Sequence, residues 1–194
     1  MVGVGDSITA GAPGWDPNPA LRDQLDAHDP QSQWEYWAQA GLGDDYYVRN
    51  CGVPGDLTDE IAARLDGCLA GADIAVIQGG VNDLANRRTV ASAARNLREM
   101  VRQAKAAGVT VVLANLLPVN KPAFAFVVPK LTRLNRLIEQ IAREEGAGLV
   151  DFFDELEGPP GSNRMPKRWT ADTVHPSVEG YSRLGRAVAQ QLRQ

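Results

Sequence analysis

Residues 73–83 have the sequence DIAVIQGGVND, and this stretch does most to decide the fold. Its first six residues form a continuous apolar run without polar alternation, which is typical of a strand covered on both faces. A glycine pair and the polar residues Asn82 and Asp83 follow directly. Residues 73–78 are therefore predicted to form an inner strand of a parallel sheet.

Short apolar strands alternate with amphipathic helices along the rest of the chain. The other predicted strands comprise residues 1–5, 46–50, 109–114 and 148–151. Apolar stripes at helical spacing comprise residues 57–69, 90–104, 131–141 and 178–192. Thr89 is expected to cap the second stripe, and Gly146 closes the third. This alternation predicts one α/β domain, residues 1–194, with a parallel sheet between two layers of helices.

The composition is that of an ordinary globular domain. The chain has 194 residues and 20.9 kDa, with 44% hydrophobic and 23% charged residues, which excludes a disordered tail or a disulfide scaffold. The mean hydropathy is -0.26, and no apolar run approaches the ~20 residues of a membrane helix. The net charge of -4 argues against nucleic acid or an anionic bilayer as the main partner.

The first residues and the cysteines bear on the cellular compartment. The N-terminus has neither a basic start nor an apolar core, so no signal peptide is visible and a cytoplasmic protein is expected. Cys51 and Cys68 lie outside any CxxC pair, and with only two histidines in the chain no metal site is expected. A Cys51–Cys68 disulfide is sterically possible, and the sequence leaves both this bond and the oligomeric state open.

Three long segments interrupt the alternation, namely residues 12–33, 116–130 and 157–171. Irregular segments of this length in a compact domain are usually functional or mobile. In open α/β sheets the ligand binds at the carboxyl ends of the strands. The motifs described next all fall at those ends.

The triplet Gly5-Asp6-Ser7 follows the first predicted strand. A serine at a strand-to-helix turn can present its hydroxyl at the edge of the sheet, and nearby glycines permit close backbone approach. The turn also directs amide N–H groups toward a bound group. For an isolated triplet the favoured alternative is that Ser7 or Asp6 only caps the following helix.

The sequence DTVHP, residues 172–176, precedes the last predicted helix. Asp172 and His175 can hydrogen-bond, so that the carboxylate fixes the imidazole tautomer and leaves the other ring nitrogen free as a general base. The second histidine, His28, lies in an Asp-rich segment and is interpreted as a solvated loop residue. The alternative is that His175 only helps to start the last helix, with Pro176 in its first turn.

Two further motifs can supply donors for an oxyanion. Asn82 can offer a side-chain N–H group at the end of its strand, although an ordinary Asx turn is the alternative. Gly52 or Gly55 can point a backbone N–H group to the same place, although a plain Pro-Gly turn is the alternative. Because all four motifs fall at one edge of the sheet, a single acyl-transfer site explains them better than four unrelated turns.

The four motifs together resemble those of the SGNH/GDSL hydrolases. They occur in the family's order as GDSIT, NCGVPG, GGVND and DTVHP, and they span nearly the whole chain. The resemblance implies a flavodoxin-like, three-layer α/β/α fold with a parallel five-stranded sheet in the order 2-1-3-4-5.

The resemblance also implies site residues: Ser7 as the nucleophile, Asp172 and His175 as the rest of a triad, and Gly55 and Asn82 as oxyanion donors together with the Ser7 amide. Gly55 is preferred to Gly52 because it stands five residues after Asn50, as in the family's second block. Asp6 and Asp83 are expected to hold the neighbouring site residues in place and not to take part in the reaction themselves. Ile8 stands where the family's name has leucine, which is an apolar exchange without chemical consequence.

The expected function is hydrolysis of carboxylic esters with short- to medium-chain acyl or aryl groups, through an acyl-enzyme. The expected partner is a small-molecule ester, and no metal or organic cofactor is needed. Trp15, Phe124 and Phe126 are candidates for the substrate pocket, although they can equally bury each other under long loops. The resemblance also admits thioesterase, lysophospholipase and carbohydrate O-deacetylase activities. A phosphate- or nucleotide-binding module on residues 3–7 is the alternative from another class, but it lacks the lysine and spacing of a P-loop.

Overall fold

The fold is built on a parallel five-stranded sheet in the order β2-β1-β3-β4-β5. The structure is a computed structural model, and it describes residues 1–120 and 122–193. The strands are β1 Val2–Gly5, β2 Arg49–Gly52, β3 Ile74–Ile77, β4 Thr110–Ala114 and β5 Gly148–Val150. Helices cover both faces, so the predicted three-layer, flavodoxin-like α/β/α fold is confirmed.

Ten α-helices lie within the described residues. They are α1 Ser7–Ala10, α2 Pro19–Leu25, α3 Trp34–Leu42, α4 Thr58–Ala63, α5 Leu65–Leu69, α6 Val81–Ala85, α7 Val90–Ala106, α8 Val128–Glu145, α9 Phe152–Leu156 and α10 Val178–Gln191. Short 3-10 helices span Pro30–Ser32, Pro122–Phe124 and Lys167–Trp169. The side chain of Thr89 accepts a hydrogen bond from Ser92 N and caps α7, and Gly146 ends α8 in the left-handed region, as predicted.

Two hydrophobic cores hold the layers together, one on each face of the sheet. Ala75 and Ile77 of β3 face the core beneath α4, α5, α7 and α8, whereas Val76 faces the core beneath α3 and α10. Because successive side chains of a strand point to opposite faces, a strand with two buried faces needs apolar residues at every position. This requirement accounts for the uninterrupted apolar run over β3, Ile74–Ile77, while the polar residues Asp73 and Gln78 stand just outside the strand.

The second strand lies three residues later than predicted. Residues 46–50 carry the apolar signal, but β2 begins at Arg49 because the side chain of Gln39 takes the place of a strand partner. Its Nε2 donates to Tyr46 O at 2.8 Å, and its Oε1 accepts from Val48 N at 2.9 Å. β2 then pairs with β1 from Arg49 to Gly52.

The apolar stripe at residues 57–69 forms two helices and not one. The break falls at Arg64, whose guanidinium reaches the end of the sheet. Its Nη2 donates to Gly5 O at 2.7 Å, and its Nη1 donates to Cys51 O at 2.6 Å. Its Nε pairs with Asp56 Oδ2 at 2.7 Å. These contacts hold together the ends of β1 and β2 and the loop that follows β2.

The segment at residues 12–33 contains the helix α2, which the sequence pattern did not reveal. Asn18 caps α2 by accepting from Ala20 N, and Pro19 occupies the first helical turn. None of the α2 residues is buried, so the helix has no apolar stripe to detect. Amphipathic periodicity indicates only helices that cover a core.

Cys51 and Cys68 form a disulfide, which settles the pairing that the sequence left open. The bond links β2 to α5, beside the Arg64 contacts. In the part of the chain that the structure describes, no helix has the length and apolar character required to cross a membrane.

The buried stripe of α7 yields a test of the packing. Leu97 is 1% exposed, and Leu97→Ala should lower the free energy of unfolding by about 2–5 kcal/mol because it leaves a cavity in the core. Arg95→Ala, on the exposed face of the same helix, should change it by less than about 0.5 kcal/mol. Urea unfolding of both variants measures the difference, and equal losses would contradict the assigned faces.

Candidate active site

Ser7 stands where β1 ends and α1 begins, at the carboxyl edge of the sheet. The side chain of Asp6 caps this short helix by accepting from Ile8 N at 3.0 Å. Ser7 is the first residue of α1, so its own N–H group has no partner within the helix. The residue thus offers both a hydroxyl and an amide donor at the same place.

His175 bridges Ser7 and Asp172. Its Nε2 lies 3.0 Å from Ser7 Oγ, across 168 positions of the chain, and its Nδ1 lies 2.7 Å from Asp172 Oδ2. The three side chains therefore form one continuous chain of contacts. The carboxylate is placed to fix the imidazole tautomer that leaves Nε2 able to accept a proton from the hydroxyl.

The Asp172 carboxylate is held in its charged form by its neighbours. Partial burial alone would raise the pKa of Asp172, but the hydrogen bonds that its carboxylate accepts outweigh this effect. The pKa of Asp172 is therefore lowered. The backbone N–H groups of His175 and Val174 donate to Oδ1 at 2.8 and 3.0 Å, and the imidazole faces Oδ2. Hydrogen bonds to the charged form stabilise the carboxylate.

The loop that carries Asp172 and His175 is anchored by residues that the motif analysis missed. Thr170 Oγ1 accepts from Thr173 N and donates to His175 O, and Asn120 N donates to Thr173 O at 2.8 Å. The Asn120 side chain also exchanges two hydrogen bonds with the backbone of Met165. Thr173 has a φ of 76°, which is rare for a β-branched residue. In the sequence, the only signal for Asn120 is its position in the long irregular segment at residues 116–130.

The donors predicted for an oxyanion follow the two strands that flank β1 in the sheet. Val53 N donates to Gly5 O at 3.0 Å, which ties the loop after β2 to the end of β1. Asn82 lies in α6, directly after β3, and its Nδ2 donates to Asp56 O at 3.0 Å. An amide nitrogen carries two N–H groups, so a second one remains for another acceptor.

Of the two candidate glycines, Gly52 at the end of β2 and Gly55 after it, only Gly55 has a backbone N–H group without a hydrogen bond among those found in the described residues. Gly52 N is already taken, because it donates to Asn50 Oδ1 at 2.9 Å. Gly55 is exposed and has a φ of 90°, which a residue with a side chain rarely adopts. A role for Gly55 in binding an oxyanion stays a prediction.

Asp6 and Asp83 are both buried beside this arrangement. Asp83 fixes the start of α4, since it accepts from Thr58 N at 2.9 Å and from Thr58 Oγ1 at 2.8 Å. Burial raises the pKa of Asp83. Burial also raises the pKa of Asp6 to about 6, against the effect of donors from Ile8 N and Gln78. Gln78 is a further residue that sequence reasoning missed.

The three aromatic candidates for the substrate pocket contact residues other than Ser7. Trp15 packs beneath the Arg22 guanidinium, which is 4.2 Å from the ring centroid. The ring of Phe126 lies 5.2 Å from the Arg87 guanidinium, and Phe124 packs against the core beneath α8. No hydrogen bond or ring contact between these residues and Ser7 is found within residues 1–120 and 122–193, so their contact with substrate stays a prediction.

His28 is solvent-exposed, as expected, and lies 3.7 Å from Asp23. No group of three or more histidine, cysteine, aspartate or glutamate side chains is arranged to hold a metal ion among the described residues.

The parallel sheet defines a protein of the three-layer α/β/α class, with a serine, a histidine and an aspartate in contact at the edge of the sheet. The chain belongs to the GDSL-like Lipase/Acylhydrolase family, whose sequence model matches residues 4–183. The resemblance of the four motifs is thereby confirmed at the level of the family. No match was found among curated protein sequences.

Solved structures with the same fold include three from different bacteria. A lipolytic protein of the G-D-S-L family from Desulfitobacterium hafniense gives a TM-score of 0.80 at 20% identity, over 98% of this chain and 97% of that chain. The inhibitor-bound aryl esterase of M. smegmatis gives 0.75 at 22% identity, over 99% and 97%. A carbohydrate acetylesterase from Sinorhizobium meliloti gives 0.73 at 23% identity, over 99% and 97%. At such identities the likeness concerns the fold.

The buried Asp6 carboxyl yields a prediction about pH. Its pKa of about 6 exceeds the ordinary aspartate pKa of 3.8, so the folded protein keeps a proton that the unfolded chain loses between those values. The free energy of unfolding contributed by Asp6 therefore falls by about 3 kcal/mol in total as the pH rises through these two values, and about 2 kcal/mol of this fall lies between pH 4 and pH 6.

Asp6→Asn keeps a capping side chain but removes this titration. Relative to the wild type, the variant should gain about 2 kcal/mol of unfolding free energy between pH 4 and pH 6. Urea unfolding at several pH values measures the gain. A difference between the two proteins that is the same at every pH would contradict the raised pKa.

Proposed function

We propose that the protein is a serine hydrolase that cleaves small carboxylic esters with short- to medium-chain acyl or aryl groups through an acyl-enzyme. The observation that carries the proposal is the chain of contacts from Ser7 Oγ to His175 Nε2 and from His175 Nδ1 to Asp172 Oδ2. Such a chain lets a neutral imidazole take the hydroxyl proton while a carboxylate stabilises the imidazolium.

In the first half of the proposed reaction, Ser7 Oγ attacks the ester carbonyl carbon and His175 takes its proton. The carbonyl oxygen becomes an oxyanion, to which the amides of Ser7 and Gly55 and the side chain of Asn82 donate. The carbon–oxygen bond to the alcohol then breaks, and His175 returns the proton to the departing alcohol oxygen. The product is an ester between Ser7 and the acyl group.

In the second half, water replaces the alcohol. His175 takes a proton from water, and the hydroxide oxygen attacks the acyl carbon. The bond between Ser7 Oγ and this carbon breaks, His175 returns the proton to Ser7, and the acid departs. Every bond and proton in this sequence is accounted for by Ser7, His175 and one water molecule.

The same steps serve thioesters, lysophospholipids and sugar acetates. The carbonyl chemistry at Ser7 is common to all of them, and the groups that recognise the alcohol or thiol decide between them. A panel of substrates therefore tests both the class of reaction and the class of ester.

Ser7→Ala should lower the hydrolysis of 4-nitrophenyl esters by about 10⁴-fold or more, because it removes the attacking oxygen. The panel comprises 4-nitrophenyl esters of increasing acyl length, an acyl-coenzyme A and an acetylated sugar. Ser162→Ala, in an exposed loop, makes the same chemical change elsewhere and should retain wild-type rates. Full activity of Ser7→Ala on every substrate would refute the proposal.

Asn82→Ala should lower kcat by about 10²–10³-fold with little change in KM, because the side chain is proposed to donate to the oxyanion. Asn86→Ala is the control for disturbance of α6, since the Asn86 side chain is exposed and donates only to the backbone oxygen of Asn82, at 2.9 Å. Thermal melting shows whether each variant is folded. A folded Asn82→Ala enzyme with wild-type kcat would exclude Asn82 as a donor.

A further inference from the structure

Arg64 stands at the break between α4 and α5, and its guanidinium binds three acceptors at the end of the sheet. Nη2 donates to Gly5 O at 2.7 Å, Nη1 to Cys51 O at 2.6 Å, and Nε to Asp56 Oδ2 at 2.7 Å. The side chains of Arg64 and Asp56 are only 25% and 15% exposed, so water competes little for these contacts. The guanidinium and its three acceptors are therefore fixed relative to one another.

One of these acceptors lies just before the proposed nucleophile. Gly5 O accepts from Arg64 Nη2 and also from Val53 N at 3.0 Å. Only Asp6 separates Gly5 from Ser7 in the chain. The two hydrogen bonds to Gly5 O therefore set the direction in which the backbone enters the turn that carries the Ser7 amide.

A second acceptor adjoins the other two proposed oxyanion donors. Asp56 follows Gly55 directly in the chain, and its carboxylate is held by Arg64 Nε. The backbone oxygen of Asp56 accepts from Asn82 Nδ2 at 3.0 Å. This contact uses one N–H group of the Asn82 amide and thereby orients the second one. Arg64 thus holds a residue that is next to Gly55 and one hydrogen bond away from Asn82.

The Cys51–Cys68 disulfide also contacts the guanidinium. Arg64 Nη1 lies 3.3 Å from Cys68 Sγ and 3.6 Å from Cys51 Sγ. Because the disulfide joins β2 to α5 covalently, the guanidinium packs against two elements that cannot separate. Its position is set before any substrate binds, which is the condition for effective stabilisation of a developing charge.

We propose that Arg64 is a positioning residue that aligns the three proposed oxyanion donors. This role rests on the proposed function, and it requires no contact between Arg64 and the substrate. Donors stabilise an oxyanion when they lie about 2.7–3.1 Å from it, and a displacement of about 1 Å can lower the rate about 10²-fold. Arginine suits the role because its planar fork binds several acceptors at once, whereas lysine has a single ammonium group.

The first experiment removes the guanidinium. Arg64→Met keeps an unbranched side chain without donors, and Arg64→Lys keeps the charge without the fork. With 4-nitrophenyl acetate, Arg64→Met should lower kcat by about 10- to 100-fold and change KM by less than about threefold, because only the transition state uses the oxyanion donors. Arg64→Lys should lower kcat at least about fivefold. Wild-type kcat in either variant, when folded, would overturn the proposal.

Arg98→Met is the matched control for a loss of stability. Arg98 is 28% exposed and pairs with Glu144 and Glu145 at 2.6 and 2.8 Å, so its guanidinium is about as buried as that of Arg64 and also holds two elements together. Arg98→Met should retain wild-type kcat even where its melting temperature falls. An equal fall in kcat in Arg98→Met and Arg64→Met would show that the loss follows stability alone, and it would contradict a positioning role.

The second experiment combines Arg64→Met with Asn82→Ala. If Arg64 acts through the Asn82 amide, the fall in kcat caused by Arg64→Met should be at least about fivefold smaller when Asn82 is already alanine. Losses that multiply in the double variant would overturn the proposal. Thermal melting shows which variants are folded, and Arg64→Lys takes the place of Arg64→Met in both comparisons if the latter does not fold.

The failure of this proposal is distinguishable from the failure of the proposed function. Hydrolysis that persists in Ser7→Ala refutes the serine mechanism. Hydrolysis that depends on Ser7 and on Asn82 but is unchanged in folded Arg64→Met and Arg64→Lys refutes only the role of Arg64.

Discussion

The contact of 3.0 Å between Ser7 Oγ and His175 Nε2 is the constraint on which the rest of the site depends. It joins the first strand to the loop before the last helix, so nearly the whole chain must fold before it can form. The order β2-β1-β3-β4-β5 places β1 between β2 and β3. The segments that follow those two strands, which carry Gly55 and Asn82, therefore begin on either side of the end of β1.

Polar anchors keep these loops in place at the open edge of the sheet. Arg64 binds the carbonyl oxygens of Gly5 and Cys51 and the carboxylate of Asp56, so one guanidinium fixes the ends of two strands and the start of a loop. Asn120 does the same for the loop of His175 through backbone contacts. Arginine suits such a position because its five donors have a fixed geometry.

The sequence predicted those features that local patterns encode. The buried run at residues 73–78 indicated a parallel sheet, and the motif order indicated that Ser7, Asp172 and His175 would meet. Features set by distant contacts were missed. Gln39 displaced the expected start of β2, and Arg64 broke a helical stripe in order to reach Gly5, 59 positions away. Gln78 and Thr170 carry no local signal, since their importance arises only from partners that folding brings to them.

The backbone conformation of Thr173 links the stability of this loop to the position of His175. A β-branched residue at a φ of 76° lies in a region that costs on the order of 1–3 kcal/mol, and two hydrogen bonds hold Thr173 there: its N–H donates to Thr170 Oγ1, and its carbonyl oxygen accepts from Asn120 N. Glycine would adopt this conformation without this cost, but it would also allow the neighbouring imidazole of His175 to move more. For the proposed catalysis, thermal stability and alignment of the imidazole therefore set opposite requirements at Thr173, and a variant that relaxes this loop for stability is expected to be a slower enzyme.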